Sequence, residues 1–175
     1  MRILLTIIFG LFAYVASSQT LIKSDMKAVE LLDLNKYAGV WYEIYRLPMR
    51  AEKDLVNVTA TYKLRNDGRI DVLNQGYKHS PEGKHKKAKA IAWRPNDDFP
   101  GELFVRFFRL FKSTYHVVAL DENYNWAIVS TKSRQYAWIL SRNPILDAEL
   151  EKELLSMASQ KGIDTTRFFK TPQQW

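Results

Sequence analysis

The side chains that most often carry catalysis are sparse in this chain. Cysteine is absent, which removes thiolate nucleophiles, thiolate metal sites and disulfides together. The three histidines, His79, His85 and His116, stand at no spacing that would bring two of them to one metal. No Gly-x-Ser-x-Gly, His-Glu-x-x-His or phosphate-binding glycine loop is present, so hydrolase, metalloprotease and nucleotide chemistry lack their local signatures. Glu43 and Asp121 are the carboxylates to weigh, and each reads as a strand-end or turn residue that accepts from backbone amides. A neutral, buried carboxyl beside a tyrosine in the cavity would favour catalysis. No enzymatic activity and no cofactor are expected.

Stepping from these residues to the elements that hold them, the chain first sheds a leader. Met1-Arg2, the apolar run Ile3 to Val15 and the small residues Ala16 and Ser18 form a signal peptide over residues 1–18, cleaved before Gln19. The 13-residue run is short of the roughly 20 needed to span a bilayer as a helix. Residues 19–175 then form one domain with no linker or repeat. Of the formal +7 of the whole chain, only Arg2 leaves with the leader, so the domain stays basic and suits anionic lipid or acidic partners. Export without a lipid-anchored cysteine predicts a periplasmic or secreted protein. Asn57-Val58-Thr59 matches a glycosylation sequon but reads as an ordinary strand segment.

Residues 40–141 are a succession of short β-type runs divided by turn signals. Val58, Ala60, Tyr62 and Leu64 alternate with Thr59, Thr61, Lys63 and Arg65, the period of a strand with one apolar and one wet face. Asn66-Asp67-Gly68 supplies a turn, and Ile70 and Val72 resume the alternation. With runs at Val40 to Leu47, Lys86 to Trp93, Glu102 to Phe108, Thr114 to Leu120, Trp126 to Ser130 and Tyr136 to Ser141, eight strands are expected. Joined by short turns, they close by pairing first with last, which removes exposed edges. Such an antiparallel up-and-down β-barrel has room for one small ligand. The period changes once, over 147–161, where Leu150, Leu154, Met157 and Ala158 take helical spacing between a capping Asp147 and a terminating Gly162. This helix is expected to pack outside the barrel, and Arg167 to Lys170 to form a short closing strand.

Three stretches carry a resemblance. Asp33-Leu34-Asn35-Lys36-Tyr37-Ala38-Gly39-Val40-Trp41-Tyr42-Glu43-Ile44 is built on Gly-x-Trp, Tyr115-His116-Val117-Val118-Ala119-Leu120-Asp121 is followed by Tyr124, and Trp138-Ile139-Leu140-Ser141-Arg142-Asn143-Pro144 ends the last strand. In that order they resemble the lipocalin family, and within it the bacterial and apolipoprotein D-like subgroup, over roughly residues 30–170. The resemblance implies that Gly39, Trp41, Asp121, Tyr124 and Arg142 are structural. Trp41 would plug one end of the barrel, and Arg142 would stack over its indole for about 1 kcal/mol.

Phasing the strands by this resemblance predicts which residues line the interior. The expected cavity residues are Tyr62, Val72, Asn74, Ala90, Val105, Phe107, Tyr115, Val117, Ile128, Tyr136 and Trp138. Leu64, Ile70, Ala88, Trp126 and Leu140 share that face, and Ala60, Ala88, Ala90 and Ala119 leave volume. Asn74 and the hydroxyls of Tyr62, Tyr115 and Tyr136 suit an ester or head group. The implied ligand is a fatty acid or lysophospholipid, bound, stored or transported in the cell envelope. The alternatives are a haem or pigment carrier and a lipocalin-type enzyme acting on a lipid. The basic segment Lys84, His85, Lys86, Lys87 and Lys89 is a solvated hairpin or a membrane-surface contact, and Phe108, Leu110 and Phe111 mark contact with a membrane, a second copy in a homodimer, or ligand. Nucleic acid is not expected, because the cations do not interleave with exposed aromatics.

Overall fold

The computed structural model describes residues 26–107 and 111–175. The leader expected over 1–18 and the apolar loop residues Phe108 and Leu110 lie outside the described residues. Eight antiparallel strands follow one another: β1 Gly39–Arg46, β2 Leu55–Leu64, β3 Ile70–Lys78, β4 His85–Trp93, β5 Glu102–Phe107, β6 Phe111–Leu120, β7 Trp126–Ser130 and β8 Ala137–Ser141. Each pairs with its sequence neighbour, and β1 pairs with both β2 and β8, which closes the barrel. The connections after β1, β3 and β7 gather at one end, with the last residue of β5. At the other, the short helix α1, Leu34–Tyr37, packs beneath the strands after Asp33 caps its first turn.

The helix α2, Ala148–Gln160, starts where the Asp147 carboxylate accepts from Leu150 N at 2.9 Å and ends before Gly162 at φ +77°. Its apolar stripe, led by the fully buried Leu154 and Ala158, covers Ile44, Val118, Ile128 and Ile139 on the outer wall. Burying a leucine in this way is worth about 2 kcal/mol. The short strand β9, Phe169–Lys170, then pairs with Tyr45 and Arg46.

The seam of the barrel is closed in two different ways. The first half of β1 bonds β2 directly, from Gly39↔Tyr62 to Tyr42↔Thr59. Beyond that point the C-terminal chain fills the gap: Thr171 N donates to Ile44 O at 2.9 Å, Asn57 N to Pro172 O at 2.8 Å, and the Gln173 amide to the carbonyls of Glu43 and Val58. Asn57 is buried, at φ +49°, and its side chain exchanges hydrogen bonds with Gln174. The sequon is therefore enclosed strand, as read from the sequence. Residues 29–32 cross the closed end, where Gly101 N donates to Val29 O; a Cβ on Gly101 would lie 2.6 Å from that oxygen, so only glycine fits.

Candidate functional site

The lumen is built from the cross-strand partners that share the inner face. Tyr62, Val72, Ala90 and Phe107 pair in sequence across β2 to β5, and Ala60, Asn74 and Ala88 form the next rung toward the open end. Val105, Val117 and Leu140 join the inner core, with Tyr115 and Trp138 packed on it. Tyr136 stands where β8 begins, its ring 6.4 Å from that of Trp138. Ala60, Asn74, Ala88, Phe107, Tyr115 and Trp138 are only partly buried although they face inward, so the upper lumen is an open cup.

Its floor is a tyrosine cross-tie. The Tyr115 hydroxyl from β6 meets those of Tyr37, from α1, at 3.0 Å and Tyr62, from β2 four strands away, at 3.1 Å. Burial pushes all three hydroxyls up in pKa, Tyr62 to about 12, so they act as neutral donors and acceptors throughout the ordinary pH range. Beneath them Tyr37 stacks between Tyr62 and the fully buried Trp41, whose indole N–H donates to Tyr37 O at 2.8 Å. One rung above Tyr62, the Asn74 Oδ1 is buried and accepts no hydrogen bond in this structure.

Below Trp41 the Arg142 guanidinium lies 3.8 Å from the ring centroid. It donates to the carbonyls of Val40, Lys36 and Ala38 at 2.7, 2.8 and 2.8 Å, and to those of Tyr37 and Tyr124 at longer range. Gly39 at φ +101° permits this approach, because a Cβ there would sit 3.2 Å from the guanidinium in a conformation that L residues resist. The Asp121 carboxylate accepts from the backbone of Asn123 and Asn125, and the Tyr124 hydroxyl accepts from Asp33 N. All five signature residues thus meet at the closed end, outside the cup.

Four residues depart from the sequence expectation: Trp126, Ile128, Ala119 and Glu43. Ile128 and Trp126 face α2, and it is Ala127 and Val129 that point into the lumen. Ala119 likewise lies on the outer wall. The cause is an irregularity between Val117 and Ala119 that shifts the β6–β7 register by one residue, and a one-residue shift exchanges the faces of a strand. Glu43 also departs from its expected role. A bulge between Glu43 and Tyr45 puts Ile44 and Tyr45 outside and turns Glu43 and Arg46 to the same inner side.

There the Glu43 carboxyl accepts from Thr171 Oγ1 at 2.6 Å and Arg46 Nη1 at 3.0 Å. Glu52, from the β1–β2 connection, joins them: Arg46 Nη2 donates to its backbone oxygen at 2.7 Å, and Trp138 Nε1 donates to its carboxylate at 3.4 Å. Burial, then the neighbouring Glu52 charge, pushes Glu43 up to about 8, and burial raises Glu52 too. Two carboxyls facing one guanidinium hold a proton near neutrality. This is a carboxyl of the kind that would favour catalysis, but its hydrogen bonds come from Arg46 and Thr171, and no tyrosine hydroxyl bonds it. Sequence reasoning missed the cluster because Glu52 and Thr171 reach it only through the fold.

Among the described residues no group of His, Asp and Glu could hold a metal, and no helix is long and apolar enough to cross a membrane. Surface depressions between α2 and the C-terminal chain, and beside Lys36 and Arg142, lie outside the lumen.

A closed up-and-down barrel, plugged at one end by a tryptophan under an arginine and open at the other, defines a ligand-binding barrel of the lipocalin class. The chain belongs to that family: residues 32–173 match the model of the lipocalin-like domain. It is 41% identical over 151 residues to the outer membrane lipoprotein Blc of Vibrio cholerae, covering 86% of this chain and 88% of that one. It is 35% identical over 152 residues to apolipoprotein D of Cavia porcellus, covering 82% and 78%. Among solved structures, insecticyanin of Manduca sexta superposes with a TM-score of 0.66 at 23% identity, covering 84% of each chain.

Proposed function

We propose that this protein binds and carries single-chain amphiphiles, fatty acids or lysophospholipids, with the acyl chain in the cup above the tyrosine floor. The observation that carries this reading is the partly open inner face formed by Ala60, Ala88, Phe107, Trp138 and Asn74. Two of these side chains are too small to fill the space between strands, and two are flat aromatic walls. An acyl chain gains about 0.8 kcal/mol per buried methylene, so a dozen methylenes outweigh the cost of ordering the ligand. In this reading Asn74 Oδ1 accepts from the hydroxyl of a glycerol unit, and the Tyr115 hydroxyl meets its ester. Likeness to a protein named outer membrane lipoprotein supports work in the cell envelope. The reading is of an exported carrier that works at the membrane surface.

The haem alternative fares less well. His79 lies in a turn, exposed His85 stacks on Tyr77, and His116 points out of the barrel, so no histidine faces the cup. The test is tryptophan-quenching titration with lysophosphatidylcholine and oleate, beside native mass spectrometry of the protein from its host. Saturable quenching at micromolar concentration is expected, and Ala88→Phe, which fills the cup from its wall, should abolish it with the fold intact. If no amphiphile binds, or if Ala88→Phe binds as the wild type does, the reading is wrong.

A further inference from the structure

We propose that the protein docks mouth-first on bilayers rich in anionic lipid, through the cations that ring its open end. The inference rests on the lipid-carrier reading and adds the surface, the partner and the orientation. Because consecutive strands alternate in direction, the connections after β1, β3 and β7 share one rim with the end of β5. Among the described residues Arg50 and Lys53 are exposed on the first of these connections, Lys84 at the end of the second with Lys86 just inside β4, and Lys132 on the last. Lys86 has the parity of Ala88 and Ala90, which face inward, so its side chain hangs over the opening.

The carboxylates of this rim offset little of that charge. Glu52 is turned inward against Arg46 and Trp138, and Asp54 is paired with Lys78 at 3.2 Å, which leaves Glu82 exposed. The closed end is different. There the exposed cations Lys36, Lys63, Arg65 and Arg69 are matched by the exposed carboxylates Asp33, Asp67, Asp71, Asp97, Asp98 and Glu122, with Asp67 3.3 Å from Arg65 and Asp97 3.5 Å from Arg94. The net positive charge of the chain is therefore concentrated around the mouth, and a negatively charged plane orients the molecule with its cup against the lipid. A ligand leaving the bilayer then enters the lumen without crossing bulk water. Each interfacial lysine strengthens partitioning by about fivefold, and the attraction decays within about 10 Å at ordinary salt.

Cosedimentation with vesicles tests this. Wild-type protein should bind phosphatidylcholine vesicles containing phosphatidylglycerol, ignore pure phosphatidylcholine, and be released as salt rises from about 0.1 M to about 0.5 M. The mouth variant Lys84→Gln/Lys86→Gln/Lys132→Gln should lose roughly a hundredfold in partitioning. The variant Lys63→Gln/Arg65→Gln/Arg69→Gln, which removes the same charge at the closed end, should keep wild-type partitioning. Equal binding to neutral vesicles, or equal loss in both variants, would overturn oriented docking. Binding of monomeric lysophosphatidylcholine without vesicles is measured on the same proteins. Its failure would overturn the carrier reading, while the vesicle result alone decides the docking.

Discussion

Replacing Arg142 with alanine should cost about 3 kcal/mol of stability and leave lipid affinity within twofold of wild type. The figure follows from what the guanidinium touches. Its contact over Trp41, 3.8 Å from the ring centroid, is worth about 1 kcal/mol. The bonds to Val40 O and Lys36 O are solvent-exposed, so water replaces them at small cost. Those to Ala38 O and Tyr124 O are partly buried, at about 1 kcal/mol each. Tyr37 O keeps its bond from the Trp41 indole. For a chain of this size about 3 kcal/mol lowers Tm by roughly 10 °C. Urea unfolding followed by tryptophan fluorescence reads the same loss as a lower midpoint at unchanged slope. Affinity should persist because Arg142 is separated from the cup by Trp41 and the tyrosine cross-tie. A loss below 1 kcal/mol would refute the account of the closed end, and a tenfold loss of affinity at unchanged Tm would place Arg142 in the ligand site instead.

Ile128→Ala should cost about 3 kcal/mol by opening a cavity under α2, with lipid titration unchanged; reduced affinity at full stability would return Ile128 to the lumen. Glu43→Gln should flatten the pH dependence of stability. The native Glu43 carboxyl holds its proton up to about 8 against an ordinary 4.5, so the folded state binds a proton that the unfolded chain releases. Wild-type stability therefore falls as pH rises from about 4.5 to about 8, and the variant should melt higher than wild type at pH 8 but not at pH 4. A variant with the wild-type profile would sink that assignment. His116→Phe should act on the acid side. Burial holds this imidazole below its usual pKa, outweighing the opposing pull of Glu102, so the unfolded chain takes up a proton below about 6.5 that the fold resists. The variant should gain stability relative to wild type at pH 5 over pH 8, and thermal melts at the two pH values read the difference directly.

Much of the fold was legible from residue order because barrel strands and turns are local objects. The alternation of Val58 to Arg65 sets one wet and one apolar face whatever surrounds it, and Asn66-Asp67-Gly68 turns the chain back on itself. Asp147 and Gly162 bound α2 by satisfying end groups that every helix leaves open. The inward placement of Tyr62, Val72, Asn74, Phe107, Tyr115 and Trp138 follows from the same alternation once the strands are phased. Where a run is apolar on both faces, as in Trp126-Ala127-Ile128-Val129, alternation carries no phase. Only the register set by the irregularity in β6 decides that Ala127 and Val129 face the lumen.

The polar interior was decided by tertiary structure. In a regular strand Glu43 and Arg46, three residues apart, would point to opposite faces, and the bulge at Ile44 puts them on one. Glu52 and Thr171 then complete the cluster from a loop and from the chain's end. Tyr37, Tyr62 and Tyr115 are far apart in sequence and bond only because closing the barrel brings β2 opposite β6. A sequence states which side chains a strand offers to each face. Contacts across a lumen depend on register and closure, which are settled only when every strand is paired.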